Sequence, residues 1–384
     1  MALFTGPVKP YASMLLIPIW AAFLALPFSG VTGALRILAA SFLVVLAWKA
    51  SLNRAAAGPI AALRERASST ASFLSRFLLP LRSWWGVAIL LSVLVILPLF
   101  LNDYFRDVMT LTGMYVVLAL GLNLVVGQTG LLNLGYVAFY AVGAYTYAIL
   151  STTVGLSFWP GLAAGAITAA LYALLVGTPT LRLRGDYFAI VTLGLGEITR
   201  IVLNNWDAVT RGPNGISNIG RPVINGYALH RPLDFYYLVL TITVITVFAM
   251  RRLIESRIGR AWLAIREDAV AAEAMGVDTF RLKLLAFVLG SAWAGLTGVF
   301  FAAKMAFVSP ESFTFFESVL ILCMVVLGGM GSIPGIILAA VLLITLPELF
   351  RDFQDYRMLA FGAALVLMMI FRPQGLIGKI RSTS

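Results

Sequence analysis

The sequence predicts an all-α polytopic membrane protein, and three observations support this fold class. The chain has 384 residues, of which 60% are hydrophobic and only 12% are charged. Apolar runs of roughly 17 to 25 residues, each long enough to cross about 30 Å of hydrocarbon, recur along the chain. The excess of basic residues lies between these runs rather than inside them, as it does in the loops of membrane proteins.

Twelve apolar blocks are candidate membrane crossings. The first two form a predicted accessory pair of transmembrane helices within residues 1–48, and the others form a core of about ten transmembrane helices within residues 85–384. The blocks at 317–328 and 333–347 are short, so they are either one broken helix or two crossings. In full, the blocks lie at 11–28, 34–48, 85–101, 108–126, 134–152, 160–180, 187–204, 233–250, 284–305, 317–328, 333–347 and 357–371.

The charged residues predict which loops face the cytoplasm. Four hydrophilic segments hold 18 of the 28 Lys and Arg and 7 of the 17 acidic residues, so they account for the whole net charge of +11. Because basic residues accumulate in cytoplasmic loops, we predict that these segments and both termini are cytoplasmic. Arg182, Arg184 and Asp186 then form a charged boundary at the cytoplasmic membrane surface. The four segments are the basic linker 49–84, the boundary 181–186, the loop 251–283 and the tail 372–384.

The composition also excludes several classes of site. Cys323 is the single cysteine and His230 the single histidine, which excludes a disulfide framework and a multi-histidine metal site. No Walker A sequence occurs, and no serine–histidine arrangement lies inside the spans. We therefore predict a protein that is not an enzyme and has no catalytic residue, metal or cofactor of its own. The placement of the basic residues indicates membrane topology rather than binding to nucleic acid.

Polar residues and glycines inside the apolar blocks are candidates for a translocation path. Two glycine-marked breaks, Gly127–Gly130 and Gly328–Gly331, follow similar apolar runs, and paired breaks of this kind indicate a transport pathway. Glu197 and Arg200 are three residues apart on a predicted helix and can pair, either as a structural ion pair or as a polar lining. The path candidates are Asn123, Gln128, Asn133, Gly194, Gly196, Glu197, Gly328 and Gly331.

Three further segments carry clear local signals. The composition of 259–275 predicts one helix that ends at Gly276, and Asp278 or Thr279 can cap the next helix. Small residues spaced four apart in 290–298 predict close helix–helix packing. Pro, Gly and Asn crowd the longest outward segment, 205–232, so turns are expected there rather than a continuous helix.

Several segments, taken in order, resemble the LivM family of permease subunits of bacterial high-affinity branched-chain amino acid ABC importers. The resemblance extends over roughly residues 103–378. It rests on "GQTGLLNLGYVAFYAVGAY" from residue 127, "LRLRGDYFAIVTLGLGEI" from 181, "GPNGIS" from 212, "GRAWLAIRED" from 259, "FVSPESFTFFES" from 307, "VVLGGMGS" from 325 and "FRPQGL" from 371.

The resemblance implies a type II importer fold, with this chain as one half of the channel in the bacterial inner membrane. It also implies four kinds of partner besides membrane lipid: a LivH-type permease, LivF- and LivG-type ATPases that bind the ATP, and a periplasmic binding protein for Leu, Ile and Val. The loop 251–283 becomes the region that couples to the ATPases, although the usual Glu-Ala-Ala-x-x-x-Gly pattern has Val270 in place of the glutamate. The implied coupling residues are Arg266, Glu267, Asp268, Ala271, Ala272 and Gly276.

Two other functions are consistent with the same residues. A permease subunit for urea or another small amide or amino acid would share the superfamily. A self-sufficient secondary transporter would belong to a different class, and it would transport without partners by using an ion gradient. The small number of intramembrane carboxylates argues against this second alternative.

Overall fold

The computed structural model describes residues 84–349, except 184 and 225, together with 362 and 376. All of these residues belong to one unit, Leu78–Ser384. The predicted accessory pair, the linker up to residue 83, Arg184 and most of the block at 357–371 lie outside the described residues.

The described chain is mainly helical, with four very short strands. Helix α2 continues directly as a π-helical turn, Leu124–Gln128. Strand β1 pairs antiparallel with β4, and β2 pairs antiparallel with β3. The strands are β1 (Ile216–Ser217), β2 (Val223–Ile224), β3 (Tyr227–Ala228) and β4 (Phe307–Val308), and the helices are α1 (Trp84–Ile96), α2 (Asp103–Asn123), α3 (Val137–Val154), α4 (Phe158–Thr180), α5 (Asp186–Asn205), α6 (Asp207–Thr210), α7 (Pro232–Glu255), α8 (Arg257–Glu267), α9 (Ala269–Ala274), α10 (Thr279–Met305), α11 (Phe315–Gly328) and α12 (Ile333–Leu349).

The predicted membrane-protein class is confirmed within the described residues. Two shorter apolar helices, Leu90–Leu99 and Ile333–Glu348, also match predicted blocks. The block at 187–204 forms α5 but is not among the helices long and apolar enough to cross a membrane. Six helices meet that description: Asp103–Gln128, Val137–Val154, Phe158–Thr180, Pro232–Glu255, Thr279–Met305 and Pro310–Gly328.

Helix α10 is the centre of the bundle and packs against α2, α3 and α4. Its small residues allow this close approach, since a Cβ atom on Gly295 would collide with the carbonyl oxygen of Gly165. A Cβ atom on Gly290 would lie 2.8 Å from the carbonyl oxygen of Gly121. The predicted role of the small residues in helix packing is therefore confirmed.

The two ends of the bundle differ in chemistry. At the end that we call the strand end, the β1–β4 pair joins the segment 205–232 to the turn after α10. A short helix, a 3-10 turn and the β2–β3 hairpin occupy that segment, as its turn-rich composition predicts. We call the opposite end the basic end, because it carries the Lys- and Arg-rich loop 251–283. There, Trp262 Nε1 donates a hydrogen bond to Leu282 O at 2.7 Å and fixes α8 against the start of α10.

The predicted single helix over 259–275 is wrong, because the chain breaks at Asp268. This residue has extended backbone angles (φ −154°, ψ 107°), and its carboxylate accepts hydrogen bonds from the amides of Val270 and Ala271. An aspartate that caps a helix in this way competes with continuation of the helix before it. The other two predictions are confirmed: α9 ends just before Gly276, whose φ is +84°, and Asp278 caps α10.

The sequence left open whether 317–347 is one broken helix or two crossings. The structure has two separate helices, α11 and α12, which pack against each other and against α2. A tight turn over residues 329–332 joins them, and Ser332 N donates to Gly329 O at 3.0 Å. The two blocks are therefore two separate helices that fold back on each other, rather than one broken helix.

Candidate functional site

The two glycine breaks that the sequence marks lie side by side at the basic end. The amide of Gly331 donates a hydrogen bond to the side-chain oxygen of Asn123 at 2.9 Å. A Cβ atom on Gly127 would lie 2.7 Å from that same amide nitrogen. Asn123 and Gln128 are buried, with 1% and 3% of their surfaces exposed. Two breaks about 200 residues apart in the sequence therefore form one contact between the ends of α2 and α11.

Gly328 makes the second break tight. A Cβ atom at this position would lie 2.6 Å from the carbonyl carbon of Gly335, so only a glycine allows α12 to start this close to the end of α11. The amide of Leu376 also donates to Leu327 O at 2.7 Å, which brings the chain near the C-terminus to the same turn.

Arg266 of α8 reaches both breaks. Its Nη1 donates to the carbonyl oxygen of Gly127 at 2.5 Å and lies 3.5 Å from that of Met330. Both carbonyl groups stand at or just beyond helix C-termini, where a positive charge is favourable and charge-assisted hydrogen bonds are strong. The half-buried Arg266 thus ties the loop region 251–283 directly to the ends of α2 and α11.

Of the other predicted coupling residues, only Ala272 shares this inward position. Glu267, Asp268, Ala271 and Gly276 are exposed, whereas Ala272 is buried, with 6% exposure. The exposed surface around α9 is apolar in part, with Val270 at 72% and Met275 at 84% exposure. The predicted set therefore divides into residues that face the bundle, Arg266 and Ala272, and residues available to a partner.

From Gly130 to the start of α3, residues 130–136 run as non-helical backbone beside the helices. Side chains satisfy its amides: Leu134 N donates to Thr192 Oγ1 at 3.2 Å, and Gly135 N donates to Asn133 Oδ1 at 3.0 Å. The first amide of α3, Val137 N, donates to Ser318 Oγ at 3.0 Å. In membrane proteins, non-helical backbone at depth occurs where protein buries it or where it lines a cavity.

A small pocket with a cavity volume of about 10 Å³, room for about one water molecule, lies beside this segment. Asn133 is fully buried there, and its Nδ2 finds no hydrogen-bond partner within the described chain. Gly196 packs onto the same segment, since its Cβ atom would lie 3.2 Å from the Cα of Gly135. The remaining walls are mostly apolar, and the full lining is Asn133, Gly135, Ala138, Phe139, Tyr172, Val176, Thr192, Leu195 and Phe287.

Glu197 and Gly194 lie apart from both groups. Glu197 pairs with Arg200 on the same helix at 2.9 Å, and about a third of each side chain remains exposed. A Cβ atom on Gly194 would have no neighbour within 4 Å. Of the predicted path residues, four therefore meet at the glycine breaks. Asn133 lines the pocket, Gly196 packs on the segment beside it, and Glu197 and Gly194 join neither group.

Sequence reasoning missed a polar pair inside the bundle. Tyr115 of α2 donates a hydrogen bond to Glu317 Oε2 of α11 at 2.5 Å, and Ser318 next to it binds the start of α3. Glu317 and Ser318 belong to the segment "FVSPESFTFFES", where a carboxylate could have been noticed. Tyr115 lies in an apolar run without any local marker. Only the packing of α2 on α11 brings the tyrosine and the carboxylate together.

These features together define a class of protein. A bundle of apolar helices with paired breaks, buried polar side chains and non-helical backbone at depth is the architecture of a membrane transport protein. Residues 104–371 match the family described as "Branched-chain amino acid transport system / permease component". The chain belongs to this family.

Individual relatives agree with this assignment. The high-affinity branched-chain amino acid transport system permease protein LivM of Escherichia coli is 48% identical over 315 residues, which cover 76% of this chain and 74% of the relative. LivM of Salmonella typhimurium is similar to the same extent. The permease protein LivH of S. typhimurium, of the same named system, is 27% identical over 301 residues, 73% of this chain and 96% of the relative. No solved structure matches the chain significantly.

Proposed function

We propose that this chain forms one half of the transmembrane channel of an ATP-driven importer of leucine, isoleucine and valine. The proposal includes a type II importer fold with about ten core transmembrane helices. The observation that carries it is the Arg266 contact, because it joins the predicted coupling region to both helix breaks. Membership of the permease family and 48% identity to LivM support the substrate class.

The proposed partner in the channel is a LivH-type permease. The similarity to LivH over 96% of its length supports this pairing, because two chains of one fold can assemble around a pseudo-twofold axis. LivF- and LivG-type ATPases supply ATP hydrolysis in this proposal, since the sequence of this chain has no Walker A motif. A periplasmic binding protein for branched-chain amino acids delivers the substrate.

The proposed coupling route passes through two helices. An ATPase docks on the exposed surface around α9, where Val270 and Met275 are available to a partner. Movement of α9 displaces α8, which is fixed to the bundle by Trp262 and by Arg266. The ends of α2 and α11 move with Arg266, so the free energy of ATP binding reaches the helix breaks through a continuous set of contacts.

The proposed orientation places the basic end in the cytoplasm of a bacterial inner membrane and the strand end toward the periplasm. The distribution of basic residues supports it. In a Cys323→Ala background, a cysteine at the exposed position Glu267 should be shielded from an impermeant thiol reagent added to outer-permeabilised cells. A cysteine at Tyr227, which is exposed at the strand end, should be labelled. The reverse pattern would refute the orientation.

Reconstitution tests the function itself. Proteoliposomes that contain this chain, the second permease, both ATPases and the leucine-loaded binding protein should accumulate labelled leucine when ATP is supplied. The chain alone should neither hydrolyse ATP nor accumulate leucine. Uptake of labelled urea in place of leucine by the assembly would favour the amide-permease alternative. Gradient-driven uptake by the chain alone would favour a secondary transporter.

A further inference from the structure

We propose that Glu317 recognises the ammonium group of the amino acid as it passes the middle of the membrane. The inference rests on the proposed function, since it assigns one group of that substrate to one side chain. It starts from the Tyr115–Glu317 hydrogen bond of 2.5 Å, which joins α2 to α11 inside the bundle.

The depth of the pair follows from the position of Tyr115. Tyr115 lies about midway along the continuous helical segment Asp103–Gln128, roughly 18 to 20 Å from each end at about 1.5 Å per residue. Glu317 bonds directly to its hydroxyl group, so the carboxylate is near the centre of the span. A carboxylate at this depth is costly, and such residues usually face a pathway or a partner rather than lipid.

Several other acidic residues in the described helices make ion pairs with basic side chains, whereas Glu317 does not. Asp103 pairs with Arg106, Asp107 with Lys304 and Glu197 with Arg200, at 2.6, 3.2 and 2.9 Å respectively. Glu317 has a tyrosine hydroxyl group as its hydrogen-bond donor and makes no ion pair with a basic side chain in the described part of the chain. A carboxylate without a cation in this position can therefore accept one from a substrate.

The surroundings leave Glu317 accessible from one side. The residue is only partly buried, so the described chain does not enclose its side chain completely, and the adjacent Phe316 is 78% exposed. On the other side, Ser318 accepts a hydrogen bond from the first amide of α3. The starts of α11 and α3 thus lie beside Glu317, where an ammonium group of a substrate could pair with its carboxylate. A zwitterionic amino acid carries the ammonium group that such a site binds, and a neutral amide such as urea does not.

The Tyr115–Glu317 pair could instead only hold α2 against α11, and two substitutions distinguish this structural role from recognition of the ammonium group. Glu317→Gln keeps the size of the side chain and an oxygen that accepts the hydrogen bond from Tyr115, but it removes the charge. Tyr115→Phe keeps the charge and removes the hydrogen bond. Both variants are to be reconstituted in the complete assembly, with leucine uptake and ATP hydrolysis measured in parallel. Glu311→Gln, the same change on an exposed side chain outside the coupling region, is the matched control.

We expect Glu317→Gln to lower the amount of leucine transported per ATP about tenfold, the effect of losing one hydrogen bond to a charged group. Tyr115→Phe should lower it by less than about threefold, because the carboxylate that contacts the ammonium group stays in place. If Glu317→Gln does not assemble with its partners, Glu317→Asp and Glu317→Asn provide a second pair that is matched in size. The variant Glu317→Asp should then retain several times the leucine uptake of Glu317→Asn.

Two results would overturn the inference. One is leucine uptake by Glu317→Gln within about twofold of the wild type, which is too small for a lost charge contact. The other is an equal loss in Glu317→Gln and Tyr115→Phe, which would make the pair a structural tie between α2 and α11. If the wild-type assembly takes up no leucine, the proposed function itself fails and the inference falls with it, so the two failures are distinguishable.

Discussion

Helices α8 and α9 are neighbours in the chain, but they present opposite surfaces. Helix α8 packs one face against the bundle: Trp262 is fully buried, and Arg266 binds the carbonyl oxygen at the end of α2. The surface around α9 turns outward, where Val270 and Met275 are 72% and 84% exposed. The break at Asp268 separates the two helices and allows each to point in its own direction.

This difference indicates that the coupling region has two parts with separate tasks. The α9 surface is available to a partner, and its exposed residues include apolar side chains that a protein interface would bury. Helix α8 is a link, since its polar contacts are to main-chain atoms of the bundle. Substitutions in α8 should therefore impair transport without loss of the ATPases, whereas substitutions in α9 should impair ATPase binding. The size of each loss should follow the strength of the contact that the substitution removes.

Arg266→Ala should have the largest effect. It removes a charge-assisted hydrogen bond, so we expect leucine uptake in the reconstituted assembly to fall about 10- to 100-fold. The ATPases should still co-purify, because α9 is unchanged. The variant Arg266→Lys, which keeps a positive charge near the two carbonyl groups, is the control and should retain several times the uptake of Arg266→Ala. Loss of the ATPases in Arg266→Ala would show that α8 is part of the docking surface instead.

Val270→Asp should have the next largest effect, and this effect should be a loss of ATPase binding. A charge on the exposed apolar surface opposes burial in an interface, so we expect ATPase binding to weaken about tenfold with insertion into the membrane unchanged. Ala271→Arg should act in the same way. The same change at the buried Ala272 would instead disturb packing, so it is not a docking test. Normal ATPase binding by Val270→Asp would show that the ATPases do not dock on this surface.

Gly276→Val should reduce transport by a smaller amount. Its φ of +84° is strained for a β-branched residue, at a cost of about 1 kcal/mol, which corresponds to an effect of about fivefold. Gly276→Asn, which tolerates this conformation better, should retain more activity. The rates of uptake by the two variants, normalised to assembled complex, give the comparison. Equal activity of the Val and Asn variants would mean that the turn carries no constraint.

Glu197→Gln should have the smallest effect. The ion pair with Arg200 lies within one helix and is about one-third exposed on each side, so it contributes about 1 kcal/mol or less, and uptake should change less than about threefold. The exchange of both charges, Glu197→Arg with Arg200→Glu, should also be tolerated. A loss of tenfold or more in leucine uptake would place Glu197 in the translocation path, as the sequence analysis allows.

Much of the architecture was accessible from local sequence signals. Apolar blocks predicted the positions of the described helices, because crossing a bilayer requires a minimum length of apolar chain. Turn-forming residues predicted the irregular segment 205–232, and Asp278 and Gly276 were identified as helix boundaries. The single predicted helix over 259–275 was wrong. Average helix propensity favours continuation there, whereas the side chain of Asp268 binds the next amides and stops it.

The sequence by itself determined the membrane class, the approximate positions of the described helices and the charge difference between the loops, since each depends on residues close together in the chain. It also marked the two glycine breaks but could not show that they touch. Tertiary structure alone brought Gly127 beside Gly331, directed Arg266 to both breaks and joined Tyr115 to Glu317. Such contacts depend on how helices from distant segments pack, and neither periodicity nor local propensity contains that information.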